Sequence, residues 1–146
     1  MASKHFNEPR DIGYGKEFSE YYQREYKSLC LINQESNTIF TGKKQKDLFI
    51  FTMALGKYSN KKSDAKQKQN NIPVQALSES QKWAVLSIGI DEEKNIIALK
   101  DEGPIYENAE KYANEGMKIL KSHMDKWGPN YVKSLEADLK EILNSN

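Results

Sequence analysis

The chain has 146 residues, of which 38% are hydrophobic, 29% charged and 10% aromatic, and its formal net charge is +1. That length and aromatic content imply one folded domain around one core and exclude a disordered chain. The near-zero net charge excludes a global field drawing the molecule onto nucleic acid or an anionic membrane. A single cysteine excludes an internal disulfide, and beside two histidines it falls short of a structural zinc site.

No apolar run is long enough to span a bilayer, and Met1 to Arg10 lack the apolar centre of a signal peptide. The expectation is therefore a cytoplasmic protein with no membrane partner. Residues 1–15 hold Pro9, Gly13 and Gly15 among scattered charges and read as a flexible N-terminal arm. From Glu17 to about Ile32, the spacing of Phe18, Tyr21, Tyr22, Tyr26, Leu29 and Cys30 predicts a first helix. Asn33 to Asn37 is turn-like, and Thr38 to Gly42 forms a short extended lead into a second helix near Lys44 to Tyr58, with Thr41 placed to cap it. Leu48, Phe49, Ile50, Phe51, Met53, Ala54 and Leu55 make that helix apolar on nearly every face, which puts it at the centre of the core.

Residues 59–71 offer little to bury and read as a long mobile loop, closed by the extended Ile72-Pro73-Val74. Ser78 and Gln81 form a capping box for a third helix to about Gly89, with Trp83, Val85, Leu86 and Ile90 as its core side chains. Asn95 to Leu99 reads as a helical turn. The clearest helix starts at Gly103-Pro104 and carries Ile105, Ala109, Tyr112, Ala113, Met117, Leu120 and Met124 on one stripe; Gly116 within it suits close approach of another helix. After Trp127-Gly128-Pro129, the spacing of Val132, Leu135, Leu139 and Ile142 predicts an added C-terminal helix within residues 129–146. The expected fold is an all-α, compact bundle of four to five helices spanning residues 16–146, with a long basic loop after the second helix and no internal repeat.

Charge is uneven along the chain. Residues 43–68 hold Lys43, Lys44, Lys46, Lys57, Lys61, Lys62, Lys66 and Lys68 against Asp47 and Asp64, a local net charge of +6. Residues 91–115 hold eight acids against three lysines, a local net of −5. Flexible ammonium groups suit sequence-independent contact with the phosphates of duplex DNA, which makes these eight lysines the candidate DNA-binding residues. A merely solvated loop or an acidic protein partner would use the same residues, and two opposite patches also suit self-association into a homo-oligomer.

Catalytic groupings are absent from the pattern: Cys30 sits in an apolar stripe, His123 near a helix end suits the helix dipole, and the adjacent Glu92 and Glu93 diverge on a helix. No metal and no cofactor is expected. Tyr21, Tyr22 and Tyr26 at helical spacing read as core and rim packing rather than base-stacking platforms.

The run Lys46-Asp47-Leu48-Phe49-Ile50-Phe51-Thr52-Met53-Ala54-Leu55-Gly56, followed by a basic loop, resembles a motif of the small accessory proteins of DNA phosphorothioation (Dnd) systems. The stretch Ile105 to Leu120, with Tyr112-Ala113-Asn114 and Gly116, is similar to the closing helix of that family, and the Trp83 helix falls between the two. The resemblance covers roughly residues 16–120 and rests mainly on apolar framework; lysines stand where the family has arginines after Ala54-Leu55-Gly56. It implies a non-enzymatic accessory part in a prokaryotic DNA-modification or phage-defence system, with DNA or a larger protein of the same system as partner. The alternative is an interaction adaptor or self-associating subunit with no direct DNA contact.

Overall fold

The computed structural model describes residues 7–34, 38 and 40–127. In chain order these form strand β1 (Asp11–Gly15), helix α1 (Ser19–Tyr22), helix α2 (Gln45–Tyr58), strand β2 (Lys68–Pro73), helix α3 (Glu79–Glu93) and helix α4 (Gly103–Trp127). Short 3-10 turns lie at Lys16–Phe18, Arg24–Leu29, Val74–Ala76 and Ile96–Lys100. The expected C-terminal helix of residues 129–146 lies outside the described residues.

The core is organised by α2 against α4. Leu48, Phe49, Thr52, Met53 and Gly56 are buried on α2, while Ile105, Ala109, Tyr112, Ala113, Met117 and Leu120 are buried at three-and-four spacing on α4. The helices cross antiparallel at two glycines, with Gly116 against the Thr52 carbonyl and Gly56 against the Tyr112 carbonyl. A Cβ at either glycine would penetrate the facing carbonyl oxygen, so the expected close approach at Gly116 is met by a second at Gly56.

Helix α3 starts as its capping box requires: Gln81 donates its backbone N–H to the Ser78 hydroxyl, and the Gln81 side chain accepts from the Ser78 backbone. It runs parallel to α2, clipped near one end by Gln81 to Asp47 at 2.9 Å and at the other by Lys57 to Asp91 at 3.1 Å. Val85, Leu86 and Ile88 are buried, and Gly89 lets α3 rest directly on Ile105. The turn expected at 95–99 is the 3-10 turn Ile96–Lys100, capped by the Asn95 side chain.

Several expectations are corrected. The fold is mostly helical but not all-α, because β1 and β2 pair as a two-stranded antiparallel sheet with Ile12 opposite Ile72 and Tyr14 opposite Gln69. Residues 11–15, expected in the arm, are therefore ordered, and Ile12 and Tyr14 join the core. Residues 68–71, expected in a mobile loop, belong to β2. The register shifts between Ile12 and Tyr14, where the Gly13 backbone meets Gln69 too closely for any side chain.

The expected first helix is broken into a 3-10 turn, a single α turn and a second 3-10 segment, because Gln23 is extended and Lys27 adopts a φ of 54°. Its apolar side chains still divide between core and surface: Tyr22 is fully buried and stacks on Tyr14 with ring centroids 3.9 Å apart, and Cys30 is buried. Tyr26 and Leu29 are exposed. Thr41 does not cap α2. That end is closed by Asp47, which accepts from the Lys44 backbone N–H at 2.9 Å, while Thr41 accepts from Thr38. Trp83, expected in the core, lies on the solvent face of α3 at 48% exposure.

Alanine in a helix interior normally exceeds glycine in stability by about 1 kcal/mol. Gly56→Ala and Gly116→Ala should do the opposite, each lowering unfolding free energy by about 3 kcal/mol through overpacking. Urea unfolding measures this, and a neutral or stabilising result at both positions would exclude the close crossing.

Candidate functional site

The basic segment and the acidic segment meet in space. Lys57, at the last turn of α2, places its ammonium 3.1 Å from Asp91 and 3.8 Å from Glu92 at the end of α3. Lys62 reaches Asn108 Oδ1 at 3.0 Å and Glu92 at 3.9 Å. Both ammonium groups stand 5.4 Å from the centre of the Tyr112 ring, within cation–π range. The Tyr112 hydroxyl donates to Glu92, which also accepts from the Asn108 amide. Glu92 is thus the hub joining α2, the segment after it, α3 and α4.

The rest of that segment is laid along α4. Ser63 donates its backbone N–H to the Lys111 carbonyl and its hydroxyl to Glu115 at 2.5 Å, and accepts from Asn114 at 2.9 Å. Asp64 faces Lys111 at 3.6 Å. Lys68 reaches Glu110 at 3.0 Å, and the other oxygen of Glu110 accepts the Gly13 N–H at 2.7 Å. The sheet bulge therefore frees a backbone donor that binds a carboxylate on α4.

These surroundings shift several groups. Hydrogen bonds from Lys57 and then Lys94 hold the Asp91 carboxyl below the usual range. The Ser63 hydroxyl, followed by Lys118, does the same for Glu115. Glu110 moves up, because burial outweighs the donors Lys68 and Gly13. Burial first, and the Glu92 carboxylate second, push the Tyr112 phenol up to about 12.

Of the eight candidate DNA-binding lysines, Lys57, Lys62 and Lys68 are drawn into ion pairs with acids on α3 and α4. Lys46 donates to the Ala76 carbonyl at 2.7 Å, and Lys61 lies close enough to Glu115 to lower its pKa. Lys43, Lys44 and Lys66 are exposed and form none of the ion pairs among the described residues. The eight are thus dispersed over several environments. Sequence reasoning missed Tyr112 and Asn108 as members of the polar cluster, since each sits on a helix whose apolar stripe dominates its pattern. The sequence reading placed Ile96 and Ile97 in a helical turn without assigning them a surface role; they are exposed at 70% and 52%.

Among the described residues, no three His, Cys, Asp or Glu side chains are grouped as a metal site requires, and no helix is long and apolar enough to cross a membrane.

Replacing Glu92 with Leu removes the Tyr112, Asn108, Lys57 and Lys62 contacts together. Because the cluster is partly exposed, the expected loss of stability is about 1–2 kcal/mol at low salt, shrinking as salt rises. A denaturation series in salt checks this, and an unchanged variant would mean that the cluster holds nothing together. Tyr112 gives a pH counterpart. The fold favours its neutral phenol, so this contribution is complete below the ordinary value of 10.0 and is lost as pH rises towards about 12. Tyr112→Phe should flatten that alkaline decline in stability.

No curated protein and no solved structure matches the chain. The family described as DNA sulphur modification system-associated protein 4 matches residues 23–145, a span that takes in the polar cluster, α2, α3 and α4. The chain belongs to that family of proteins associated with DNA sulphur modification systems.

Proposed function

We propose that this chain is a non-enzymatic accessory subunit which works in the cytoplasm by docking on another protein of its DNA sulphur modification system. One observation carries the choice of protein over DNA: Lys57, Lys62 and Lys68 are neutralised by Asp91, Glu92 and Glu110 of the same chain. A phosphate backbone would have to displace those carboxylates, and each release leaves a carboxylate near the incoming phosphates. Large apolar side chains left in solvent, including Trp83, Ile96 and Ile97, are the kind of surface a protein partner covers.

A second reading, phosphate contact, is favoured by Lys43, Lys44 and Lys66, which are exposed and form none of the described ion pairs. The two readings separate experimentally. Tagged chain co-expressed with the other proteins of its modification system should retain one of them stoichiometrically through nuclease treatment and a high-salt wash. Duplex DNA should bind no more tightly than non-specific ligands, with Kd of about 10⁻⁴ to 10⁻⁶ M at physiological salt. Replacing Lys43, Lys44 and Lys66 with Gln should leave the protein complex intact. The docking reading fails if no system protein is retained while duplex DNA binds tightly with a steep salt dependence that the triple variant makes shallower by about one unit per lost contact.

A further inference from the structure

The end of α3 is built against its own dipole. Helix C-termini favour cations, yet the last turn of α3 carries Asp91, Glu92 and Glu93 and no basic residue. Lys57, Lys62 and Lys94 compensate Asp91 and Glu92. Glu93 forms none of the described ion pairs, and it stands at the rim of a groove of about 540 Å³ between the end of α3, the Ile96–Lys100 turn and the start of α4. Asp101 and Glu107 line the same groove, also outside the described ion pairs; Asp101 accepts the backbone N–H of Gly103. Against these three acids the groove holds Lys100 and Lys111, and Lys111 is already opposite Asp64.

Ile97, Ala98, Pro104 and Ile105 give the groove its apolar lining, with Gly89 lowering the α3 backbone onto Ile105. Ile96 and Ile97 extend this surface into solvent, at 70% and 52% exposure. Lys94 in the left-handed region, at φ 53°, ends α3 and swings the chain so that the isoleucine pair stands beside the acids.

We propose that this groove is the docking site for a basic amphipathic segment of a partner protein, whose apolar stripe covers Ile96 and Ile97 while its lysines or arginines meet Glu93, Asp101 and Glu107. Charge complementarity selects this occupant. Exposed acids beside apolar lining reject an acidic segment and suit a basic one. The site rests on the docking role proposed above and names the surface that performs it.

The probe is a fluorescein-labelled synthetic helix with a leucine stripe flanked by lysines, titrated into the full chain, beside an otherwise identical peptide carrying glutamates. The lysine peptide should bind and the glutamate peptide should not. Hydrogen exchange should slow across residues 89–108 on binding. Ile96→Ser with Ile97→Ser should weaken binding at least tenfold, with circular dichroism unchanged because both side chains are exposed. Glu93→Lys with Asp101→Lys and Glu107→Lys should do the same and should abolish the salt dependence. Equal affinity for either variant, equal binding of the glutamate peptide, or protection confined to another surface overturns the assignment. A wild-type dimer that the isoleucine variant converts to monomer overturns it too, since a second copy would then be the occupant. Failure of this site and failure of the docking role are distinguishable: a system protein retained equally by the groove variants removes the groove and leaves the role.

Discussion

The antiparallel crossing of α2 and α4 at Gly56 and Gly116 is the contact on which the rest of the molecule depends. Thr52 and Gly56 lie one turn apart on α2, as do Tyr112 and Gly116 on α4, so each helix offers one carbonyl and one bare Cα to the other. This allows backbone-to-backbone packing, with Cα–H donors facing carbonyl oxygens, at a separation that larger side chains would forbid. The crossing fixes register as well as distance. Lys57 follows Gly56 directly and so stands over the ring of Tyr112, while the Thr52 hydroxyl donates to the Phe49 carbonyl and accepts from the Tyr22 hydroxyl at 3.2 Å. Tyr22 in turn stacks on Tyr14 of β1, which ties the sheet to the helical core.

From that register the charge distribution follows. Along the sequence the molecule has a basic and an acidic segment; in three dimensions they meet at the end of α3 and along α4. Lys57, Lys62 and Lys68 reach Asp91, Glu92 and Glu110 over sequence separations of 34, 30 and 42 residues. Such pairs contribute modestly where exposed, but here they share hubs. Glu92 serves Tyr112, Asn108 and two lysines, and Glu110 serves Lys68 and a backbone N–H. Networks of this kind hold a polar segment in place where it has no apolar side chains to bury.

This explains which parts of the fold were legible in the sequence. Helices α2, α3 and α4 declare themselves through local signals: a run apolar on all sides, the Ser78 and Gln81 capping box, and a seven-member stripe opened by Gly103-Pro104. The Gly116 contact was readable because a glycine inside a strong helical pattern needs a reason. The sheet was not. Strand β2 reads Lys-Gln-Asn-Asn-Ile-Pro and buries only Ile72, and its partner is more than fifty residues earlier in the chain. A polar, one-sided, bulged strand has no period to find. The pairing of lysines with distant acids was equally hidden, because charge counting along a chain does not show which charges meet. Trp83 misled for a related reason: α3 lies at the margin of the core, and its pattern of apolar residues does not say which one faces out.

Part of the lysine segment gains partners in the folded molecule that the order of the sequence does not show. A stretch with a net charge of +6 invites a polyanion, but the folded molecule has its own carboxylates within reach of those ammonium groups. Three acids outside the described ion pairs, Glu93, Asp101 and Glu107, line one groove beside the exposed Ile96 and Ile97. Internal pairing thus covers three of the eight lysines, while Lys43, Lys44 and Lys66 stay exposed and outside the described ion pairs. An uncompensated surface charge is weakly informative alone, since water solvates it. It gains meaning beside an apolar pair that water does not solvate well and at a helix terminus whose dipole has the same sign. Those conditions meet at the α3 terminus, while the ion pairs of Lys57, Lys62 and Lys68 tie the end of α2 and the segment after it to α3 and α4.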